Sequence, residues 1–358
     1  MTSRSMQAEV GASLDLARAS YREISLYAPD RSPCAIDLSD NTNLFGVPPA
    51  ALATLRSAAE STITRYPTLY AGSLKAALAR YAGVEPNEVV TGCGSDDVLD
   101  SAIRAFAEPG EIVAMPEPSF AMIPIFARMN ALKPVAVPLL PSYDIDADAM
   151  LATGARVIYI CSPNNPTGTE ASADAVRRIL REARGLVILD EAYAEFAGAG
   201  YIAEAPRHEH LLVVRTLSKA FGLAGLRIGY ACGATGLVAT VEKSRGPYKV
   251  SALAERAAVA ALEADRAWVT AHIVEAVQNR DRFTAELRGV GLAPLPSTAN
   301  FVLVPIPDAA AIGAAMRKAG VAVRPMSGLT GIGDALRISI GPWVLMSGAL
   351  DALRAARA

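Results

Sequence analysis

Cysteine is sparse in these 358 residues. The four, Cys34, Cys93, Cys161 and Cys232, show no C-x-x-C spacing, which argues against a disulfide framework or a thiolate metal site and fits free thiols in a reducing compartment. Histidine is scarcer still. His208 and His210 fall in the loop-like APRHEH and His272 stands alone, too few and too scattered for a metal-ligand set. Neither sign of charge dominates, with 34 Lys and Arg against 36 Asp and Glu and no acidic or basic block. Nucleic acid and anionic membrane are therefore not expected as main partners. No apolar stretch approaches membrane-spanning length, and MTSRSMQAEVGASLDLARAS has no continuous apolar core of the secretory kind. A cytoplasmic protein is expected. The run GLAGLR lacks the G-x-G-x-x-G spacing of a dinucleotide fingerprint.

What is present is an alternation of short apolar runs and amphipathic segments. NEVVTGCGS reads as a strand breaking into glycines, EIVAMPEPSF as a strand and turn, and RVIYICSPNNPTG as a strand entering a polar turn. GLVILDEAYAEF and HLLVVRTLSK read as two further strands, with DDVLDSAIRAF and ADAVRRILREARG as intervening helices. Helical crossovers imply a mostly parallel central sheet with helices on both faces, an α/β fold. Such a sheet explains VIYI, LVIL and LLVV, apolar at every position. After about residue 245 the texture changes. The segment from SALAERAAVA to FTAELRGVG reads as one long connector helix. PSTANFVLVPI, DAAAIGAAMRKAG, VAVRPM, ALRISIG and VLMSGALDALRAARA then form a smaller α+β unit.

In open α/β sheets ligands bind beyond the carboxyl ends of the strands. Here each such end carries polar residues. NEVV delivers Gly92, Gly94 and Ser95; RVIYI delivers Asn164, Asn165 and Thr167; GLVIL delivers Asp190, Glu191 and Tyr193; LLVVR delivers Thr216, Ser218 and Lys219. Singly each has a plain reading. Ser95 can be a helix cap, Asn-Asn-Pro-Thr-Gly a turn, Asp190 a solvated carboxylate, and Lys219 a stem over apolar surface with its head in water. Together they fit one cofactor, pyridoxal 5'-phosphate. A lysine amine condenses with its aldehyde, a carboxylate holds its ring nitrogen protonated, and hydroxyls, glycine N–H groups and an arginine hold its phosphate.

In order, SPNNPTG, VILDEAY, TLSKAFGLAGLRIGY, PSTANF, VAVRPM and LRISIG resemble the motifs of fold-type I pyridoxal-phosphate aminotransferases of class I/II, and among them the histidinol-phosphate aminotransferase branch. The resemblance covers nearly the whole chain. It implies Lys219 as the covalent attachment point, Asp190 as the partner of the ring nitrogen, and Asn165 and Tyr193 at the ring's 3'-oxygen. It implies Gly94, Ser95, Asp96, Thr216, Ser218 and Arg227 around the phosphate, Phe120 stacked on the ring, and Tyr66 lent across a homodimer interface. For substrate it implies Arg337 at the α-carboxylate, Arg324 at a substrate phosphate, and Tyr27 and Asn43 in an N-terminal stretch that closes over it. The implied division is residues 1–44 as lid and part of the small domain, 45–245 as the cofactor-binding domain, and 246–358 as connector helix and small domain. Small amino and keto acids are the expected partners. The leading reading is amino transfer between glutamate and imidazole acetol phosphate; an aromatic amino-acid aminotransferase and a decarboxylase of the threonine-phosphate type stand as alternatives. Lys249, Pro342-Trp343 and DNTNLFG depart from the branch's usual pattern.

Overall fold

The structure, a computed structural model, describes residues 16–26, 30, 32–198 and 200–357. The first strand, Ile36–Asp37 (β1), is followed by Val89–Cys93 (β2), Ile112–Glu117 (β3), Lys133–Pro138 (β4), Val157–Cys161 (β5), Leu186–Asp190 (β6), Leu211–Thr216 (β7) and Ile228–Cys232 (β8). Strands β2 to β8 form one seven-stranded sheet in the order β2-β8-β7-β6-β5-β3-β4. The β3/β4, β3/β5, β5/β6 and β6/β7 pairs are parallel, whereas β8 runs antiparallel to both neighbours. The reversal of β8 brings its beginning, not its end, to the rim where the other strands finish.

The all-apolar runs are buried on both sheet faces, as a sheet covered by two helical layers requires. Val187, Leu189 and Val213 belong to one core cluster, and Tyr159, Ile188 and Val214 to a second across the sheet. Two strands escape the sequence reading. In ALKPVAVPLL two prolines mask β4, which they can occupy because it lies at the sheet edge. LRIGYAC, interrupted by a glycine, is not read as a strand at all. Gly229 is there because β8 runs hard against the start of the helix Gly94–Phe106, where a Cβ would collide with the backbone of Gly94 and Ser95.

The expected single connector helix is two helices, Ala252–Ala264 and Arg266–Gly289. Their break has a purpose that periodicity does not reveal. The Asp265 carboxylate accepts from the N–H groups of Ala50 and Ala51, at 2.9 and 3.1 Å, and so caps the helix Pro49–Arg56. Beyond them, Phe301–Pro305 (β9), Val321–Ala322 (β10), Arg324–Leu329 (β11) and Gly333–Ser339 (β12) complete the strands. Strands β11, β12 and β9 make an antiparallel sheet over its own apolar cluster, and β1 pairs with β10. Leu38, just after β1, is fully buried in that cluster, so the N-terminal segment is anchored to the C-terminal unit. Trp343 lies against the same cluster with the Arg282 guanidinium 3.5 Å above its ring. The Pro342-Trp343 departure is thus a packing feature of the last helix, Trp343–Arg357.

Candidate active site

The rim at the ends of β5, β6 and β7, and the start of β8, collects the polar residues. Asp190 closes β6 in register with Cys161 on β5 and Val214 on β7. It is buried, and its carboxylate accepts from Tyr159 Oη at 2.8 Å and Ala192 N at 3.1 Å. Burial raises its pKa to about 6 despite both hydrogen bonds. Desolvation is the largest influence on it, so a cation placed at this carboxylate would relieve the cost of its burial.

Lys219 follows β7 by three residues. Its Nζ donates to Asp40 O at 3.2 Å and lies 5.7 Å from the centre of the Tyr193 ring. Desolvation first, then the Arg337 charge, lowers its pKa to about 8. Near neutral pH a larger share of such an amine is neutral and nucleophilic than of an ordinary lysine.

Tyr193 is buried, with Asn41 Nδ2 donating to its Oη at 3.2 Å and its ring edge-on to Phe301 at 5.1 Å. Arg337, on β12, donates through Nη1 to Asn165 Oδ1 at 2.6 Å and through Nη2 to Ser39 O at 2.8 Å. The first contact joins the small antiparallel sheet to the rim of the large one. It also uses the Asn165 oxygen and orients that amide's Nδ2 as the group left to donate. Asn164 does different work. It bonds Pro118 O, Thr167 Oγ1 and Ser119 Oγ, and so fixes the turn.

The residues expected around a phosphate lie where the helix Gly94–Phe106 starts beside β8. Gly94 has φ +80°, and a Cβ there would run into the Arg227 guanidinium. Arg227 Nη2 reaches Asp96 Oδ2 at 3.2 Å. The Thr216 hydroxyl is spent locally, donating to Ile228 O and accepting from Ser218 N. The Ser218 hydroxyl is buried with no partner. An orphaned hydroxyl, an arginine, a cradle that a methyl group would fill and first-turn N–H donors, with Ser95 among them, fit a phosphate group. Asp97 does not compete for that place. It accepts from Cys93 N and from Lys249 Nζ, 2.8 Å away, which accounts for the Lys249 departure.

The remaining expected residues are placed as follows. Phe120 is half-buried against the core cluster on the Tyr159 side of the sheet. Asn43 Nδ2 donates to Ala220 O, next to Lys219, and its Oδ1 accepts from Phe45 N. Arg324 pairs with Asp40 at 3.0 Å. Tyr66 is 84 % exposed and stacks on Tyr248. Tyr27 lies outside the described residues. Sequence reasoning missed Tyr159, Asp40, Asn41 and Ser339. Asn41 is 1 % exposed with φ +55°, and its backbone N–H and side-chain oxygen both bond the Ser339 hydroxyl. A tyrosine inside an otherwise aliphatic strand was the one available signal for Tyr159, since a buried phenol needs a partner.

The family model described as aminotransferase class I and II matches residues 34–353. The chain belongs to this family. A histidinol-phosphate aminotransferase from Methylibium petroleiphilum is 39 % identical over 335 residues, 90 % of each chain. One from Thermoanaerobacter pseudethanolicus is 32 % identical over 333 residues, 91 % of this aminotransferase and 94 % of that one. Among solved structures, histidinol-phosphate aminotransferase from Sinorhizobium meliloti in complex with pyridoxal-5'-phosphate superposes with a TM-score of 0.84 at 28 % identity. The match covers 93 % of this aminotransferase and 95 % of that chain. The α/β architecture expected from the sequence is therefore that of the fold-type I aminotransferases. Among the described residues no helix is long and apolar enough to cross a membrane, and no cluster of His, Cys, Asp and Glu is suited to a metal ion.

Proposed function

We propose that this aminotransferase moves an amino group between glutamate and imidazole acetol phosphate, with histidinol phosphate as the amino form of the second substrate and pyridoxal 5'-phosphate as cofactor. The observation that carries the reading is the convergence on one rim of a desolvated amine, a buried carboxylate and an arginine that donates from both Nη atoms, to Asn165 and to Ser39. The names of relatives aligned over about nine-tenths of the chain support the substrate pair.

When bound, pyridoxal phosphate supplies an aldehyde for covalent attachment of amines and a cationic ring that accepts electrons from the substrate's Cα. Lys219 Nζ would hold it covalently and, as base and then acid, would move the proton at the substrate's Cα. Asp190 holds the proton on the ring nitrogen. Tyr193 Oη and Asn165 Nδ2 hold the 3'-oxygen. Gly94, Ser95, Asp96, Thr216, Ser218 and Arg227 surround the phosphate, directly or by fixing those that touch it, and Phe120 covers the ring. Arg337 grips the α-carboxylate in two-pronged fashion, and Arg324 adds a second cation for a phosphorylated substrate. Asn43 keeps the N-terminal segment against the Lys219 loop. Exposed Tyr66 serves the cofactor phosphate of a second copy in a homodimer.

The deciding experiment follows the cofactor spectrum of the holoenzyme during half-reactions. Glutamate and histidinol phosphate should each convert the aldehyde form to the amine form, while phenylalanine and tyrosine react far more slowly. Loss of carbon dioxide from phosphothreonine without that conversion would place the chain with the lyases instead.

Two substitutions probe the parts. Arg337→Lys keeps the charge but loses the fork, and kcat/KM for glutamate should drop about 30-fold or more, equivalent to ~2 kcal/mol of buried charged hydrogen bonding. Gly94→Ala forces a methyl group toward Arg227 at a backbone conformation that disfavours it. Cofactor release on dialysis should become about tenfold easier, matching ~1.4 kcal/mol of strain.

A further inference from the structure

Arg324 on β11 and Arg337 on β12 are directly opposite across the antiparallel ladder, so both side chains leave the same face. Both are tied to one short strap, Ser39-Asp40-Asn41. Ser39 O accepts from Arg337, Asp40 O from Lys219, Asp40 Oδ1 from Arg324, and Asn41 donates to Tyr193. Asp40 thus sets a carboxylate against Arg324 in a region where Arg227, Arg324, Arg337 and Lys219 concentrate positive charge. The pair is neither sealed nor fully solvated, with side chains 21 % and 18 % exposed, so it is strong enough to hold and open enough to exchange.

Amino transfer between a carboxylate substrate and a phosphate monoester makes unequal demands on this face. A single bidentate arginine balances an α-carboxylate. A phosphate monoester carries close to two negative charges and three acceptor oxygens, and calls for the second arginine. We infer that Asp40 is a specificity-determining residue, a displaceable counter-ion that neutralises Arg324 when the substrate presents only a carboxylate to this face and yields it to a phosphate dianion. The inference rests on the proposed role of Arg324 toward substrate. It assigns to Asp40 the cost of admitting the phosphate, so that phosphate binding is weaker, and discrimination between the two substrates smaller, than two unencumbered arginines would give.

The test uses the holoenzyme with inorganic phosphate and acetate as inhibitors of the glutamate half-reaction, and histidinol phosphate as substrate. In Asp40→Asn, and again in Asp40→Ala, the inhibition constant for phosphate should fall about tenfold while that for acetate moves less than threefold. KM for histidinol phosphate should fall with the phosphate constant. Arg324→Gln should raise both phosphate-dependent constants, and in that background Asp40→Asn should have no further effect. Unchanged or weaker phosphate inhibition in both Asp40 variants overturns the inference, as does an Asp40 effect that persists without Arg324. An Arg324→Gln protein with unaltered histidinol phosphate kinetics instead removes the reading of Arg324 on which the inference stands.

Discussion

A Lys219→Ala protein should bind pyridoxal phosphate yet show no measurable transamination, a loss of about 10⁴-fold or more. Two functions vanish with one amine. On the proposed role of Lys219, the variant lacks both the amine that attaches to the aldehyde and the group that carries the Cα proton. Tyr193, the aromatic neighbour of Lys219 Nζ, has its phenol pushed well above its ordinary range by burial, so it is a poor base at neutral pH. Two readouts check the expectation independently of turnover. The absorbance of the lysine-attached cofactor should disappear. Borohydride should fix the cofactor permanently to the wild-type chain but not to the variant. A variant retaining that covalent adduct would move the attachment point elsewhere.

Asp190→Asn should have opposite effects on activity and on the stability of the cofactor-free protein. The amide matches the carboxylate in shape and its oxygen can still accept from Tyr159, but its NH2 cannot accept from Ala192 N, and it cannot keep a proton on the ring nitrogen by charge. The loss of a preorganised buried charge should lower the half-reaction rate by about 10²- to 10³-fold. Stability should move the other way. In the native state burial raises the Asp190 pKa from 3.8 to about 6. The folded protein therefore takes up this proton before the unfolded chain does as pH falls. Above pH 6 the folded state carries the full cost of an ionised buried carboxylate, about 3 kcal/mol. Between pH 6 and 3.8 that cost fades, and below 3.8 it is gone. Urea denaturation of cofactor-free Asp190→Asn should show a gain at pH 8, reduced by the ~1 kcal/mol or more of the lost Ala192 hydrogen bond, and progressively less toward pH 4. With pyridoxal phosphate bound, the cationic ring compensates wild-type Asp190 and the advantage should reverse. A variant no more stable than wild type at pH 8 would mean that the carboxylate is already compensated in the empty protein.

The sequence alone determined the α/β class and the rim. Strands buried on both faces must be apolar throughout, so VIYI, LVIL and LLVV announce themselves, and the polar residues that end each of them must lie together because parallel strands finish on one side. Asp190, Tyr193, Asn165 and Lys219 were legible for that reason. Tertiary structure alone decided which other residues pack around the candidate site. Asn41 and Tyr193 are 152 residues apart in the chain, beyond any periodic pattern, and nothing in DNTNLFG shows that its first two residues bond Tyr193, Lys219, Arg324 and Ser339. The break at Asp265 likewise follows from the backbone N–H groups of a distant helix, not from any weakness in the local helical pattern. Local sequence encodes burial and periodicity, which act between near neighbours. Hydrogen bonds and ion pairs between distant segments depend on where the chain returns, and only the packed fold fixes that.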